Sequence, residues 1–473
     1  MSSLSDFARR ATELLGPRGF TCDPDLLEPW LTDWRGRYHG QALSLASPAT
    51  SEEVAAFVKL CDKFDVAIVP QGGNSGMSGG ATPDASGRSV LLSLRRMDRI
   101  SSLDPASRQV VCEAGVILQT LHEAAQRHGL RFPLTLGGKG SATIGGLVST
   151  NAGGTQVLRH GTMRAQVLGI EAVLADGQIF DSLTALKKDN RGFDLKQLLI
   201  GSEGTIGIVT AATLKLEPAV AARAVLWAGV DTLATARALL LHAEALAGRA
   251  LEGFEVMPRH SLGAVLAYLP GSRRPLEGDY PWHVLIELVA DATGAEALPG
   301  LAESLLVGAF EHGLVADATI AANETQAEAF WQLRESIAPA ERAIGPAVQH
   351  DISVPVEKMP EFVDHAVQRV EAEYPGTKAV GFGHLGDGNI HFHVLAPAGS
   401  DGPSWQTGAG KDISRTVHDL VTAWGGSISA EHGIGQLKRD EMARLADPVA
   451  LGMLRAVKHA LDPKGLLNPG KLV

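Results

Sequence analysis

The sequence predicts an α+β protein of more than one domain, and three observations predict it. The chain has 473 residues, 45% apolar and 20% charged, an ordinary balance for a globular chain with room for two or three cores. A β-α-β unit opens at Ala42, and three glycine-rich loops follow before Pro218. Beyond Pro218 the composition turns to alanine and leucine, and long helix-like segments alternate with strand-like ones.

Residues 1–41 read as a helical lead-in that ends in WLTDWRGRYHG. ALSLA is then a short strand, and Thr50-Ser51-Glu52-Glu53 opens a helix as a capping box. Val54, Phe57, Val58 and Cys61 give that helix its buried stripe. The next strand, Val66 to Val69, runs straight into PQGGNSGMSGG, a loop with five glycines and no charge. A bare turn could be its whole purpose, but a run of exposed backbone N–H groups also makes a nest for a pyrophosphate. The loop fits neither G-x-G-x-x-G nor a P-loop, and Gly465–Lys471 misses the P-loop pattern because Leu472 stands where Ser or Thr is required. Nicotinamide-type and ATP-type sites are therefore set aside.

A helix ending at His128-Gly129 leads to the second tract, Pro133 to Gly154, where Ser141, Thr143, Ser149 and Asn151 can hydrogen-bond a ligand. The third, LLIGSEGTIGIVTAATLKL from Leu198 to Leu216, predicts a strand-turn-strand. One large, flat, phosphate-bearing cofactor touching all three loops accounts for them better than three unrelated turns. Residues 221–380 predict helices over 231–249, 323–343 and 359–374 and strands over 251–257 and 282–290, with the helices on one face of an antiparallel sheet. Residues 397–410 read as an exposed loop.

GFGHLGDGNIHFHV, Gly381 to Val394, places His384, His391 and His393 within one short stretch. Gly386-Asp387-Gly388-Asn389 predicts a tight turn, and the alternation after it puts His391 and His393 on one strand face. A chain that doubles back there brings His384 beside His391. Two inward imidazoles with carboxylate help suit a zinc- or manganese-like ion, while a hydrogen-bonded turn with one core histidine is the alternative use. The G-x-G-x-x-G match at Gly381–Gly386 is rejected, because a strand follows where a helix is needed.

The net charge of −11 speaks against a nucleic-acid partner. No apolar run is long enough to span a bilayer, and the N-terminus lacks a signal-peptide core, which leads to the expectation of a cytoplasmic protein, or a mitochondrial-matrix one in a eukaryote. Cys22, Cys61 and Cys112 are far apart and odd in number, which predicts a reducing compartment and no disulfide.

The PQGGNSG loop, PLTLGGKGSATIGG with NAGG and LRHGTMR, and IGSEGTIGIVT resemble the FAD-binding domain of the vanillyl-alcohol oxidase type. GHLGDGNIHFHV, SAEHGIG and DPKGLLNPGK resemble the C-terminal half of its D-2-hydroxyacid dehydrogenases, first those acting on D-2-hydroxyglutarate, then those acting on D-lactate. The resemblance implies a lead-in over 1–41, a two-part FAD domain over 42–218, an antiparallel-sheet cap over 219–426 and a segment over 427–473 returning to the flavin. It implies metal ligands at His384, His391 and Glu431, with zinc first and manganese, cobalt or iron as other ions. His432 matches the catalytic base, Arg334 a carboxylate clamp, and Asn389 and His393 further substrate contacts. The matching FAD positions are Pro70, Gly72, Gly73, Asn74, Ser75, Pro133, Gly140, Ser141, Thr143, Gly146, Asn151, Gly153, Gly154, Gly161, Glu203, Gly204, Ile208 and Asn468. The first loop has no histidine, so non-covalent FAD is expected.

That chemistry uses these residue types: flavin takes the hydride, a histidine takes the hydroxyl proton, and an arginine fork grips a carboxylate. The partners implied are a small D-2-hydroxy acid and an electron-transfer flavoprotein or quinone-linked acceptor, and a homodimer is allowed. The pattern also departs from D-2-hydroxyglutarate dehydrogenases, where a Thr and a Lys help hold the distal carboxylate and an Asn is common at the position of His393. Ala338 and Gln349 stand at the first two positions. D-Malate, D-lactate and bulkier hydroxy acids thus stay open. So do an oxidase using oxygen and a non-catalytic flavin-binding subunit of a respiratory complex.

Overall fold

The structure, a computed structural model, describes residues 2–473. It divides into two compact units, one comprising the chain up to Gly154, His160–Ala219 and Glu431–Val473, the other Thr155–Arg159 and Val220–Ala430.

The first unit holds a four-stranded sheet in the order Phe20–Thr21, Leu45–Ala46, Ser89–Ser93, Ala67–Gln71. Its last three strands are parallel, with helix Ser51–Phe64 as the crossover. The predicted cap is present: Thr50 Oγ1 accepts from Glu53 N at 3.2 Å, and the Glu53 carboxylate reaches one residue further back, to Ala49 N at 2.7 Å. The predicted stripe of Val54, Phe57, Val58 and Cys61 is buried, and Phe7, Ala11 and Leu15 of the lead-in helix belong to the same core. Burial raises the thiol pKa of Cys61, so that cysteine is inert packing.

The second sheet of this unit is five-stranded and antiparallel, in the order Ile100–Asp104, Gln109–Glu113, Ile208–Lys215, Val167–Val173, Ile179–Ser182. The strand expected at Leu198–Ile200 is instead a helical turn, Lys196–Leu199. Both edges of Ile208–Lys215 are already paired, so no ladder edge remains for a second strand there.

The second unit is built on a seven-stranded sheet, antiparallel throughout. Its order is Asp317–Ile320, Ala222–Val230, Trp282–Ala290, Leu251–Pro258, Lys378–His384, Asn389–Leu395, Ala347–Ser353. Helices cover both faces, not one. Val225, Trp227, Met257, Leu285, Val380 and Phe382 share a core with Leu262 and Val265 of Arg259–Tyr268, Phe330 and Leu333 of Glu324–Glu335, and Ile337 and Ala340 of Ile337–Ile344. On the opposite face Leu233–Ala247 and Leu298–Glu311 pack on the sheet, and Val363 of Met359–Glu373 packs against Gly381. The reason is in the strands: Leu226 and Trp227 are neighbours of opposite parity and both are fully buried.

The expected 323–343 helix breaks at Ser336, because Pro339 has no N–H for the carbonyl of Glu335 and its ring would collide with it. The expected loop over 397–410 contains a short helix, Gly402–Thr407, capped by Asp401, which accepts from Ser404 N at 3.1 Å. There an Asp cap and Pro403 in the first turn outweigh the glycine content.

Candidate active site

In the first unit the two glycine tracts interlock. A Cβ on Gly72 would lie 2.3 Å from Thr143 Oγ1, and one on Gly73 would lie 1.7 Å from Ser141 O. Among the described residues, no backbone N–H from Gly72 to Met77 donates to a backbone oxygen, so this run of donors is not used up within the backbone, as an anion nest requires. Thr143 Oγ1 is buried without a partner beside it. These features fit a pyrophosphate-bearing cofactor such as FAD. Gly73→Ala is therefore expected to drive the two tracts apart and abolish flavin retention, as read from the loss of yellow flavin absorbance in the purified protein.

Four non-glycine positions predicted for the cofactor hold left-handed backbone: Asn74 at φ 52°, Asn151 at φ 50°, Glu203 at φ 53° and Asn468 at φ 44°. Such residues cost about 1–3 kcal/mol each and persist only where their surroundings hold them. Here Asn74 Nδ2 donates to Thr32 O at 2.8 Å, Asn151 Oδ1 accepts from Arg164 N at 2.9 Å, and Asn468 Nδ2 donates to Gly80 O and Glu203 O at 2.9 and 2.7 Å. Their side chains shape the loops. Gly161 and Gly204 also have positive φ, whereas Gly146 lies in helix Ile144–Thr150 and Ile208 is a buried strand residue. Pro133, Gly153 and Gly154 are buried, Pro70 and Ser75 are half-buried, and Gly140 and Ser141 are exposed.

In the second unit the period of two puts a polar row on one face of the sheet. Cα pairing sets Glu255 opposite His384, Phe382 opposite His391, and His391 opposite Asp351. The predicted turn sits between the strands ending at His384 and starting at Asn389, with Gly388 at φ 79° where a Cβ would strike Val354 O at 2.2 Å. The doubling-back brings the rings of His384 and His391 to 5.4 Å between centroids.

Glu255 is at the centre of this row. Its carboxylate accepts from Arg334 Nε at 2.7 Å and is 2.5 Å from His384 Nδ1, at 1% exposure. Burial alone would raise its pKa, but the His384 imidazole and Arg334 guanidinium hold it well below the usual range. The contact turns Nδ1 of His384 toward Glu255 and leaves Nε2 as the ring nitrogen that an ion would meet. Burial, followed by the charges of Arg334 and His384, pushes the His391 pKa well down, so that ring is neutral, the state in which imidazole binds a metal. Asp387 shifts upward on burial, with His384 pulling the other way. A neutral imidazole beside a carboxylate-braced one fits a divalent ion.

Arg334, 9% exposed, comes from Glu324–Glu335 and lies over the Phe382 ring at 5.2 Å. Among the described residues its terminal amino groups make no hydrogen bond, so the fork opposite Nε is available for a carboxylate. Asn389 Nδ2 donates to Asp351 Oδ1 at 2.9 Å and to Ile352 O at 3.0 Å, which braces Asp351. His393 Nδ1 is 2.5 Å from Glu341 Oε2, and Glu341 Oε1 accepts from Ser261 Oγ at 2.9 Å, all three being buried.

Glu255, Asp351 and Glu341 were missed by sequence reasoning. The one signal was an acidic residue at core parity in a strand of apolar residues, as Glu255 is beside Met257. Glu431 and His432 begin the segment that rejoins the first unit. Just before them, Ser427 pairs with Ser353 and Ala430 N donates to Asp351 O at 3.3 Å. Within the first unit, the turn after His432 is held by Ser78 Oγ, which donates to Gly433 O at 3.1 Å, and by Glu203, which accepts from Ile434 N and Gly435 N, each at 2.7 Å.

Comparison with known proteins gives two family matches, an FAD binding domain over residues 42–182 and the C-terminal domain of FAD linked oxidases over 220–472. Similar curated proteins include a mitochondrial D-2-hydroxyglutarate dehydrogenase of Bos taurus, 38% identical, with 100% of this chain and 84% of that protein covered. One from Arabidopsis thaliana, also named mitochondrial, is 37% identical over 98% of this chain and 80% of its own length. A D-2-hydroxyglutarate dehydrogenase of Xanthomonas citri pv. viticola is 36% identical over 95% and 93%. Among solved structures, p-cresol methylhydroxylase with substrate bound superposes at a TM-score of 0.76 and 16% identity, covering 100% of this chain and 97% of that one. No described helix is long and apolar enough to cross a membrane.

Proposed function

Since the chain belongs to the FAD-dependent D-2-hydroxyacid dehydrogenases, flavoenzymes of the vanillyl-alcohol oxidase type, we propose that it oxidises D-2-hydroxyglutarate or D-malate to the 2-oxo acid with the help of a divalent ion. The observation that carries the metal part is the pair of imidazoles, His384 braced by Glu255 and His391 beside it with ring centroids 5.4 Å apart. The substrate part rests on relatives named for D-2-hydroxyglutarate, over nearly the whole chain.

Bound FAD supplies the hydride acceptor. A divalent ion, with zinc as first choice, supplies Lewis acidity that lowers the pKa of the substrate hydroxyl. His384, His391 and Glu431 would hold that ion. Arg334 grips the carboxylate of the hydroxy acid with its terminal amino groups, because Glu255 already fixes its Nε edge. His432 accepts the hydroxyl proton at an imidazole nitrogen. Asn389 acts through Asp351, and His393, on the same strand face as His391, is the further substrate contact proposed for the far end of the acid. Ala338 can offer that end no hydrogen bond and Gln349 offers it only an amide. An electron-transfer flavoprotein or quinone-linked carrier then reoxidises the enzyme.

The test is anaerobic mixing with D-2-hydroxyglutarate, D-malate, D-lactate and their L-forms. Flavin bleaching by D-2-hydroxyglutarate or D-malate is expected, and chelation should slow it by about 100-fold or more. Bleaching that no D-2-hydroxy acid produces would refute the oxidation, and bleaching indifferent to chelator would remove the ion.

A further inference from the structure

We infer that Glu203 is a positioning residue whose carboxylate sets the turn that carries Glu431 and His432, in addition to any backbone contact it makes with the flavin. The inference rests on the reading above, in which His432 takes the proton.

Glu203 lies in the third glycine loop, yet its side chain is turned to another stretch of chain more than two hundred residues away. Its Oε1 accepts from Ile434 N and its Oε2 from Gly435 N. Two backbone donors on one carboxylate, both at 2.7 Å, form a charge-assisted fork. The residue is held rigidly as well: its N donates to Ser149 O at 2.8 Å, and its carbonyl accepts from Asn468 Nδ2 at 2.7 Å. Its backbone stays in the left-handed region to keep this aim.

The turn is shaped to receive it. Gly433 and Gly435 have φ of 72° and 54°. A Cβ on Gly433 would sit 2.9 Å from Glu203 Oε1, and one on Gly435 would sit 2.1 Å from Ser78 O. Gln436 N and Leu437 N donate to Ser78 O, and Gln436 Nε2 donates to Gly79 O at 2.9 Å. The glycine loop that would cradle the pyrophosphate and the loop that carries Glu203 thus grip the same turn from two sides. Burial raises the carboxyl pKa, and the Ile434 and Gly435 N–H groups, followed by the charges of Lys438 and Lys471, pull the other way, toward the ionised form.

A neutral glutamine at this position can accept from one of the two N–H groups but turns its own NH2 toward the other. The turn then relaxes, and a displacement of the base near 1 Å slows chemistry by on the order of 10- to 100-fold. The experiment uses the flavin-loaded protein with D-2-hydroxyglutarate as probe. Glu203→Gln is expected to keep its flavin, to lower the flavin-reduction rate by about 10- to 100-fold, and to change KM by less than about three-fold. In a His432→Ala background the same substitution should change the rate by less than about two-fold, because the group it positions is gone. Amide exchange over 431–437 should rise in Glu203→Gln whatever the substrate. Unchanged exchange overturns the tether even if the functional reading fails. An equal loss of rate in both backgrounds overturns the action through His432. If the glutamine protein loses its flavin, Glu203→Asp, which keeps the charge at shorter reach, decides: flavin retained with a slowed rate supports the inference, and flavin lost again overturns it.

Discussion

Alanine at His432 is expected to slow flavin reduction by about 10²–10⁴-fold, the range a positioned general base supplies. A hydride cannot leave the carbinol carbon unless the hydroxyl proton leaves too, and an imidazole near neutral pKa is the natural acceptor. The substitution should spare the fold, because Ser78 Oγ and the Glu203 carboxylate hold this turn through the backbone of Gly433, Ile434 and Gly435. Anaerobic stopped-flow reduction is the measurement, with flavin content and thermal unfolding as controls. A rate within about three-fold of the parent would remove His432 from the role of base.

Glu255→Gln is expected to act on stability and metal retention together. The parent carboxylate is shared between Arg334 and His384 at almost no exposure. Breaking a buried pair from one side leaves the other charge uncompensated, which costs about 3–5 kcal/mol. The same change removes the anchor that sets the tautomer and direction of His384, a loss that lowers metal affinity by about 10- to 100-fold. Denaturant unfolding reads the first effect, and metal content after dialysis against a competing chelator reads the second. A variant as stable as the parent would sink the ion-pair argument, and one holding metal as tightly would sink the argument about His384.

Much of this architecture was legible because it is local. The capping box at Thr50, the glycine loop that follows Val69 and the turn before Asn389 depend on residues a few positions apart, and each forms where those residues put it. The histidine alternation was legible for the same reason. The strand expected near Leu198 failed because its existence depended on a free sheet edge, and both edges of its intended partner were taken. Helices expected on one face of the second sheet occupy two, since the sequence period does not announce that both parities are buried.

The carboxylates were beyond reach for a further reason. Glu255 meets His384 across 129 positions, Glu341 meets His393 across 52, and Glu203 meets Gly435 across 232. Residue types and spacings by themselves determined which side chains could do acid–base and metal chemistry, and which strand face the histidines would share. Only the tertiary structure decided which acid stands against which imidazole or backbone N–H. A hydrogen bond needs an approach of about 3 Å, and strand order and loop return, not sequence neighbourhood, supply that approach.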